Sequence, residues 1–225
     1  MKARIKCTPS ISPRHRISAS LSSFVLHPSS CCIMQRMTAS LLTRSLEEHL
    51  RTIQSLLETL LPEIQTAGEL ICQTLRRGNK ILICGNGGSA ADAQHIAAEL
   101  VGRYELPRRS WPAIALTTDT SALTALSNDF GYDEVFARQV QGLAVAGDLL
   151  IAISTSGKSP SVVKAAQRAR GLGCRVIALT GAGGGVLAEY CDQTVAVPAT
   201  RTSRVQEAHI TIGHLWCEMV DALEG

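Results

Sequence analysis

Residues 81–101, ILICGNGGSAADAQHIAAELV, run through three textures in a row. Ile81-Leu82-Ile83-Cys84 is an apolar run of strand length, with no polar residue in it to face water. A strand buried on both faces reads this way. Gly85-Asn86-Gly87-Gly88 then stops it, because glycines favour a turn over a continued strand. Ser89 can cap a helix that runs to about Arg103. Strand, glycine turn and helix in that order are the opening of a parallel α/β unit.

The pattern recurs along the chain. Further strands are expected at Ala113–Leu116, Leu149–Ile153, Arg175–Leu179 and Thr194–Val197, with helical stretches near 133–144, 160–171 and 185–190. A final amphipathic helix is expected from about Ser203 to Leu223. Before the first strand, Leu41, Leu42, Leu46, Leu50, Ile53, Leu56, Leu57 and Leu60 recur at helical spacing. Pro62 interrupts the series, and Ile64, Ala67, Leu70, Ile71 and Leu75 resume it. The expected fold is α/β, a doubly wound five-stranded parallel sheet flanked by helices, with N-terminal helices available for oligomer packing. Such sheets take ligands at the carboxyl ends of their strands.

Composition agrees. Of the 225 residues 45% are apolar and only 4% aromatic, so small aliphatic side chains must build the core. The net charge of +3 is concentrated at the start: residues 1–36 hold Lys2, Arg4, Lys6, Arg14, Arg16 and Arg36, and the first acid is Glu47. The remainder is slightly acidic, which leaves no basic stripe for nucleic acid. No apolar run reaches the length of a membrane span. The Ser-, Arg- and Pro-rich residues 1–36 read as a disordered extension, either a transit peptide or translation from upstream of a start at Met34 or Met37. Residues 37–225 then form the folded part. Eight scattered cysteines without a CxxC pair exclude a cysteine-rich zinc site and fit a reducing compartment. The cytoplasm is expected, or an organelle if residues 1–36 direct the chain there.

Two strand-to-helix loops can hold phosphate. Gly85 to Ala90 matches a dinucleotide-binding pattern, but the acid at the end of the second strand would be Asp119, over 30 residues on rather than about 20. The second loop, Ser154-Thr155-Ser156-Gly157-Lys158-Ser159, resembles the end of a P-loop. A P-loop needs glycine at position 152, where this chain has alanine within the strand. What remains is four hydroxyls and free backbone N–H groups ahead of a helix, a cradle for a phosphomonoester. N-capping alone accounts for one of those hydroxyls.

His95 and Glu99 stand i and i+4 on the helix after Gly88, a half-site for a divalent metal. The last helix adds Gln206, Glu207, His209 and His214. Gln206 and His214 lie within about 80° on a helical wheel, and His209 about 60° to the other side of Gln206. Spacing does not decide which histidine joins a site.

With these residues in hand, the chain resembles the sugar isomerase (SIS) domain family and, within it, the bacterial phosphoheptose isomerases. The resemblance covers about residues 45–222 through CGNGGSAADAQHIAAELVGRY (84–104), ALTTDTSALTALSNDFGYDEVFARQV (115–140), GDLLIAISTSGKSPSVVKAA (147–166), ALTGAGGG (178–185) and RVQEAHITIGH (204–214). It implies an aldose–ketose isomerase that interconverts sedoheptulose 7-phosphate and D-glycero-D-manno-heptose 7-phosphate as a homotetramer. It implies one zinc per subunit on His95, Glu99, Gln206 and His214. Substrate contacts fall on Asn86, Gly87, Gly88, Asn128, Asp129, Ser154, Thr155, Ser156 and Ser159, with Glu99 and Gln206 also reaching the sugar. The catalytic pair falls on Glu99 and His214. Lys158 replaces an asparagine common in the family, and Ser203 stands where some members carry aspartate. The competing reading is a non-catalytic SIS protein: the presence of both Glu99 and His214 argues against one that binds the replication initiator, and the lack of a helix-turn-helix pattern in residues 38–77 against a phosphosugar-sensing regulator.

Overall fold

The computed structural model describes residues 28–223, with side chains from residue 37. The chain divides after Leu42. Helix α1 (Pro28–Ser55) begins ten residues before the expected Thr38, so the boundary expected at residues 36/37 falls inside a helix. The extension reading of residues 1–27 lies outside the described residues. In the short first unit, Met37, Leu41 and Leu42 are exposed and the Ser40 hydroxyl donates to the Met37 carbonyl.

From Thr43 onward the chain forms one compact unit. A π-helical turn (Leu56–Leu60) precedes α2 (Leu61–Arg76). Pro62 sits at the start of α2, where its missing N–H has no intrahelical acceptor to lose. Then follow β1 (Ile81–Gly85), α3 (Gly88–Val101), β2 (Ala113–Ala115) and α4 (Thr120–Phe130). A 3₁₀ turn (Tyr132–Glu134) leads into α5 (Val135–Leu143), and β3 (Leu149–Ser154), α6 (Pro160–Gly171) and β4 (Arg175–Thr180) come next. A second 3₁₀ turn (Val186–Tyr190), β5 (Gln193–Ala196) and α7 (Thr202–Asp221) complete the unit. All five expected strands are present, each within a residue or two of its expected limits.

The strands pair in parallel in the order β2-β1-β3-β4-β5. Alternate residues feed two cores. Ile81, Ile83, Leu149, Ile151, Ile153, Ile177 and Leu179 pack under α2, α3 and α7. Leu82, Cys84, Leu150, Ala152, Val176 and Ala178 pack under α5 and α6. Each fully buried Ile or Leu contributes about 1.5–3 kcal/mol. The Trp216 indole donates to the Ile64 carbonyl at 3.0 Å and so pins α7 to α2. Among the described residues no helix is long and apolar enough to cross a membrane.

Two local expectations are corrected. Ser89 does not cap α3: Gly87 occupies the cap position with φ 57°, and Ser89 lies in the first turn. Helix α4 was not expected at all. Its start is set by Asp119, whose Oδ1 accepts from the Ala122 N–H at 2.9 Å, and no residue of α4 is fully buried to leave an apolar stripe in the sequence.

Candidate active site

Strand order reverses between β1 and β3, so their carboxyl-end loops diverge around a crevice. That crevice is a cleft of 260 Å³ lined by Asn86, Gly87, Gly88, Ser89, Ile153, Ser154, Thr155, Ser156, Ser159, Thr202 and Gln206. Glycine is required at two points. A Cβ on Gly88 would collide with the Gln206 side-chain amide, so the amide lies directly on the turn after β1. Gly157 has φ 63°, and a Cβ there would run into the Gly184 carbonyl. The 181–185 glycine run therefore buttresses the hydroxyl loop from behind, and the Leu187 N–H donates to the Gly157 carbonyl at 2.9 Å.

The hydroxyl loop is held by its backbone. Gly157 N–H donates to the Ser154 carbonyl at 2.9 Å and Gly181 N–H to the Thr155 carbonyl at 3.0 Å. Ser156 Oγ accepts from the Lys158 N–H at 3.2 Å. Ser159 is the N-cap residue of α6, yet its hydroxyl makes no bond to that helix. Asn86 Nδ2 donates to Ser161 Oγ at 3.0 Å and reaches Ser159 Oγ at 3.4 Å, while Asn86 Oδ1 accepts from the Tyr132 hydroxyl at 2.7 Å. The lining contains no ionised side chain. An anion there meets hydroxyls, amides and the positive end of α6.

Helices α3 and α7 carry the other group. His95 Nε2 lies 3.0 Å from His214 Nε2 and 3.4 Å from Glu99 Oε1. The Tyr104 ring packs on His214 with centroids 5.4 Å apart. Gly213 lets α7 approach Ile96 of α3 closely, which brings the two histidines together. His209, the alternative that spacing left open, is fully buried and donates from Nε2 to the Thr180 carbonyl at 3.1 Å. Burial pushes its pKa down to about 4, so it is a neutral core residue. Asp92, one turn before His95, has a buried Oδ2 without a partner, and burial pushes its pKa up to about 6 against the opposing pull of His95.

Two imidazoles and a carboxylate are zinc donors. Two nitrogens bound to one tetrahedral zinc stand about 3.3 Å apart, close to the spacing of His95 and His214. Among the described residues no group of three or more His, Cys, Asp or Glu is already gathered as a metal centre. Glu99 and His214 each meet His95, and Gln206 rests its amide against Gly88. The donor types, and the spacing of His95 and His214, fit zinc.

The expected residues thus fall into three places. Asn86, Gly87, Gly88, Ser154, Thr155, Ser156, Ser159 and Gln206 share the cleft. His95, Glu99 and His214 meet where α3 and α7 pack. Asn128 and Asp129 end α4, exposed and bonded to each other at 2.9 Å. Sequence reasoning missed Ser89, Thr202, Ser161, Tyr132, Tyr104 and Asp92. The Ser159-Pro160-Ser161 spacing could have signalled Ser161; an exposed tyrosine in a turn gives no local signal.

A five-stranded parallel sheet with a hydroxyl loop at its switch point defines a SIS-domain protein, and the SIS domain model matches residues 46–181. The chain is 56% identical to a phosphoheptose isomerase of Aliarcobacter butzleri over 77% of this chain and 92% of that one. It is 53% identical to one from Nitratiruptor over 79% and 95%. The solved phosphoheptose isomerase GmhA of Neisseria gonorrhoeae superposes with a TM-score of 0.76 at 44% identity, over 84% of this chain and 99% of that one. At these identities over nearly whole relatives, the chain belongs to the phosphoheptose isomerase family of SIS-domain proteins.

Proposed function

We propose that this chain is an aldose–ketose isomerase that converts sedoheptulose 7-phosphate to D-glycero-D-manno-heptose 7-phosphate, a first step towards activated heptose. The observation that carries the reading is the distance between the two halves of the site. His95 stands seven positions along α3 from Gly88, which opens the helix at the cleft, about 10 Å of helical rise. A heptose with phosphate on C7 and its carbonyl at C1 or C2 needs its two recognition points well apart in this way.

The phosphate lies on Ser154, Thr155, Ser156 and Ser159 and the N-terminus of α6. Asn86, Gly87, Gly88 and Gln206 orient the chain of hydroxyls, together with Asn128 and Asp129. Isomerisation moves one proton between C1 and C2 and one between their oxygens, so it needs a base at carbon and an acid/base at oxygen. Glu99 takes the carbon-bound proton and leaves an enediol(ate), and His214 carries the oxygen protons. His95, Glu99, Gln206 and His214 would hold one zinc, which when bound would polarise the substrate carbonyl as a Lewis acid.

We further propose a homotetramer in the cytoplasm. Leu46, Leu50 and Leu57 are 64%, 65% and 69% exposed, an apolar load that a second subunit would cover. The five cysteines with described side chains are all free thiols, in keeping with a reducing compartment.

The deciding experiment follows loss of sedoheptulose 7-phosphate with zinc present. The wild type should turn over. Glu99→Gln should stay folded and keep its affinity for inorganic phosphate while losing turnover by at least about a hundredfold. Near wild-type turnover in Glu99→Gln removes that residue as the base, and no turnover by the wild type on heptose or hexose phosphates removes the enzyme reading.

A further inference from the structure

We infer that Tyr132 is a positioning residue for phosphosugar binding, acting through Asn86; this rests on reading the cleft as a sugar-phosphate site. Asn86 is a cleft residue whose side chain must be aimed, because an amide can rotate and present either end. Here both ends are engaged: Oδ1 accepts from the Tyr132 hydroxyl at 2.7 Å, and Nδ2 donates to Ser161 at 3.0 Å beside Ser159. The amide plane is thereby fixed against the hydroxyls that receive the phosphate.

Tyr132 is itself held. Gly131, with φ 84°, turns the chain sharply out of α4 and sets Tyr132 at the head of the 3₁₀ turn. Two residues on, Glu134 pairs with Lys164 of α6 at 2.8 Å. That helix starts at the cradle residue Ser159, so the turn bearing Tyr132 and the cradle are tied to one element. On the other side, Arg138 stacks over Phe130 with its guanidinium carbon 4.2 Å from the ring centroid. Tyr132 is 51% exposed, so burial in the core does not dictate where its hydroxyl lies. The bond also joins the cleft to the end of α4, where Asn128 and Asp129 stand. A hydroxyl that aims a binding residue affects ground state and transition state alike, so its loss is read in KM and leaves kcat in place.

Tyr132→Phe keeps the ring and removes the bond. A neutral hydrogen bond of this kind corresponds to about a threefold to tenfold change in affinity. KM for sedoheptulose 7-phosphate should rise by that factor with kcat within about twofold, and the calorimetric affinity for inorganic phosphate should fall in parallel. Because the effect passes through Asn86, Asn86→Ala combined with Tyr132→Phe should bind phosphate no worse than Asn86→Ala alone. Unchanged phosphate affinity in Tyr132→Phe, additive losses in the double variant, or a fall in kcat at constant KM overturns the inference. A wild type that binds phosphate without turning over any heptose phosphate defeats the isomerase reading, and the phosphate comparison still decides the role of Tyr132.

Discussion

Ser159 shows how one residue can serve a fold and a ligand with different atoms. Its carbonyl receives the N–H groups of Val162 and Val163 and so starts α6, while its hydroxyl is left for the cleft. An ordinary N-cap serine uses that hydroxyl on the helix, and replacing it costs about 1 kcal/mol. Ser159→Ala should therefore weaken phosphosugar binding, with KM up about tenfold, and barely move the thermal midpoint. A loss of several degrees in that midpoint with KM unchanged would make Ser159 a structural cap instead. Residue type gave much of this in advance: four hydroxyls around a glycine are hard to explain by capping alone. It could not give Asn86 its partners, since Tyr132 and Ser161 reach it from segments 46 and 75 positions away.

Elements were legible where burial wrote a period into the sequence. The central strands β1, β3 and β4 are buried on both faces along nearly their whole length, so their runs stand out and their limits came within a residue or two. Helix α4 buries no residue completely and so left no stripe, and its Asp119 cap was weighed only as a dinucleotide ligand. Helix α7 left a subtler ambiguity, because a helical wheel cannot tell a core histidine from a site histidine. Tertiary burial resolves it: His209 ties α7 to the end of β4, next to the loop that carries Thr155. A neutral His209 has a pH consequence. Its folded pKa of about 4 lies below the ordinary 6.5, so on acidification the unfolded chain takes up the proton first. Its contribution is intact above pH 6.5 and is lost between about 6.5 and 4, by about 3 kcal/mol in full. Urea unfolding of the wild type should thus lose stability faster from pH 6.5 to 5 than His209→Gln does. Parallel curves for the two proteins would show that His209 does not titrate as the burial implies.

At the scale of the molecule, the switch point between β1 and β3 puts the cleft where the sheet geometry demands it, and sequence order alone predicted the loops that form it. Assembly is the property a single chain shows least. The leucines of α1 follow the helical period of a buried face, yet Leu46 and Leu50 face solvent. Leu46→Asp with Leu50→Asp should reduce the sedimentation coefficient from that of a tetramer to that of a smaller species, with the far-ultraviolet spectrum unchanged; an unaltered coefficient would place the subunit contact elsewhere. One further contact bears on how such a molecule moves. Arg108 donates to Asp221 at 2.5 Å and to the Glu99 and Leu100 carbonyls, and Asp221 accepts the Glu105 and Leu106 N–H groups. Both side chains are almost wholly buried, where breaking an ion pair costs about 3–5 kcal/mol. The rivet joins the far ends of α3 and α7, so His95, Glu99 and His214 travel as cargo on a single stiff frame. A change in the loops around the cleft can therefore leave the spacing of those three side chains as it is.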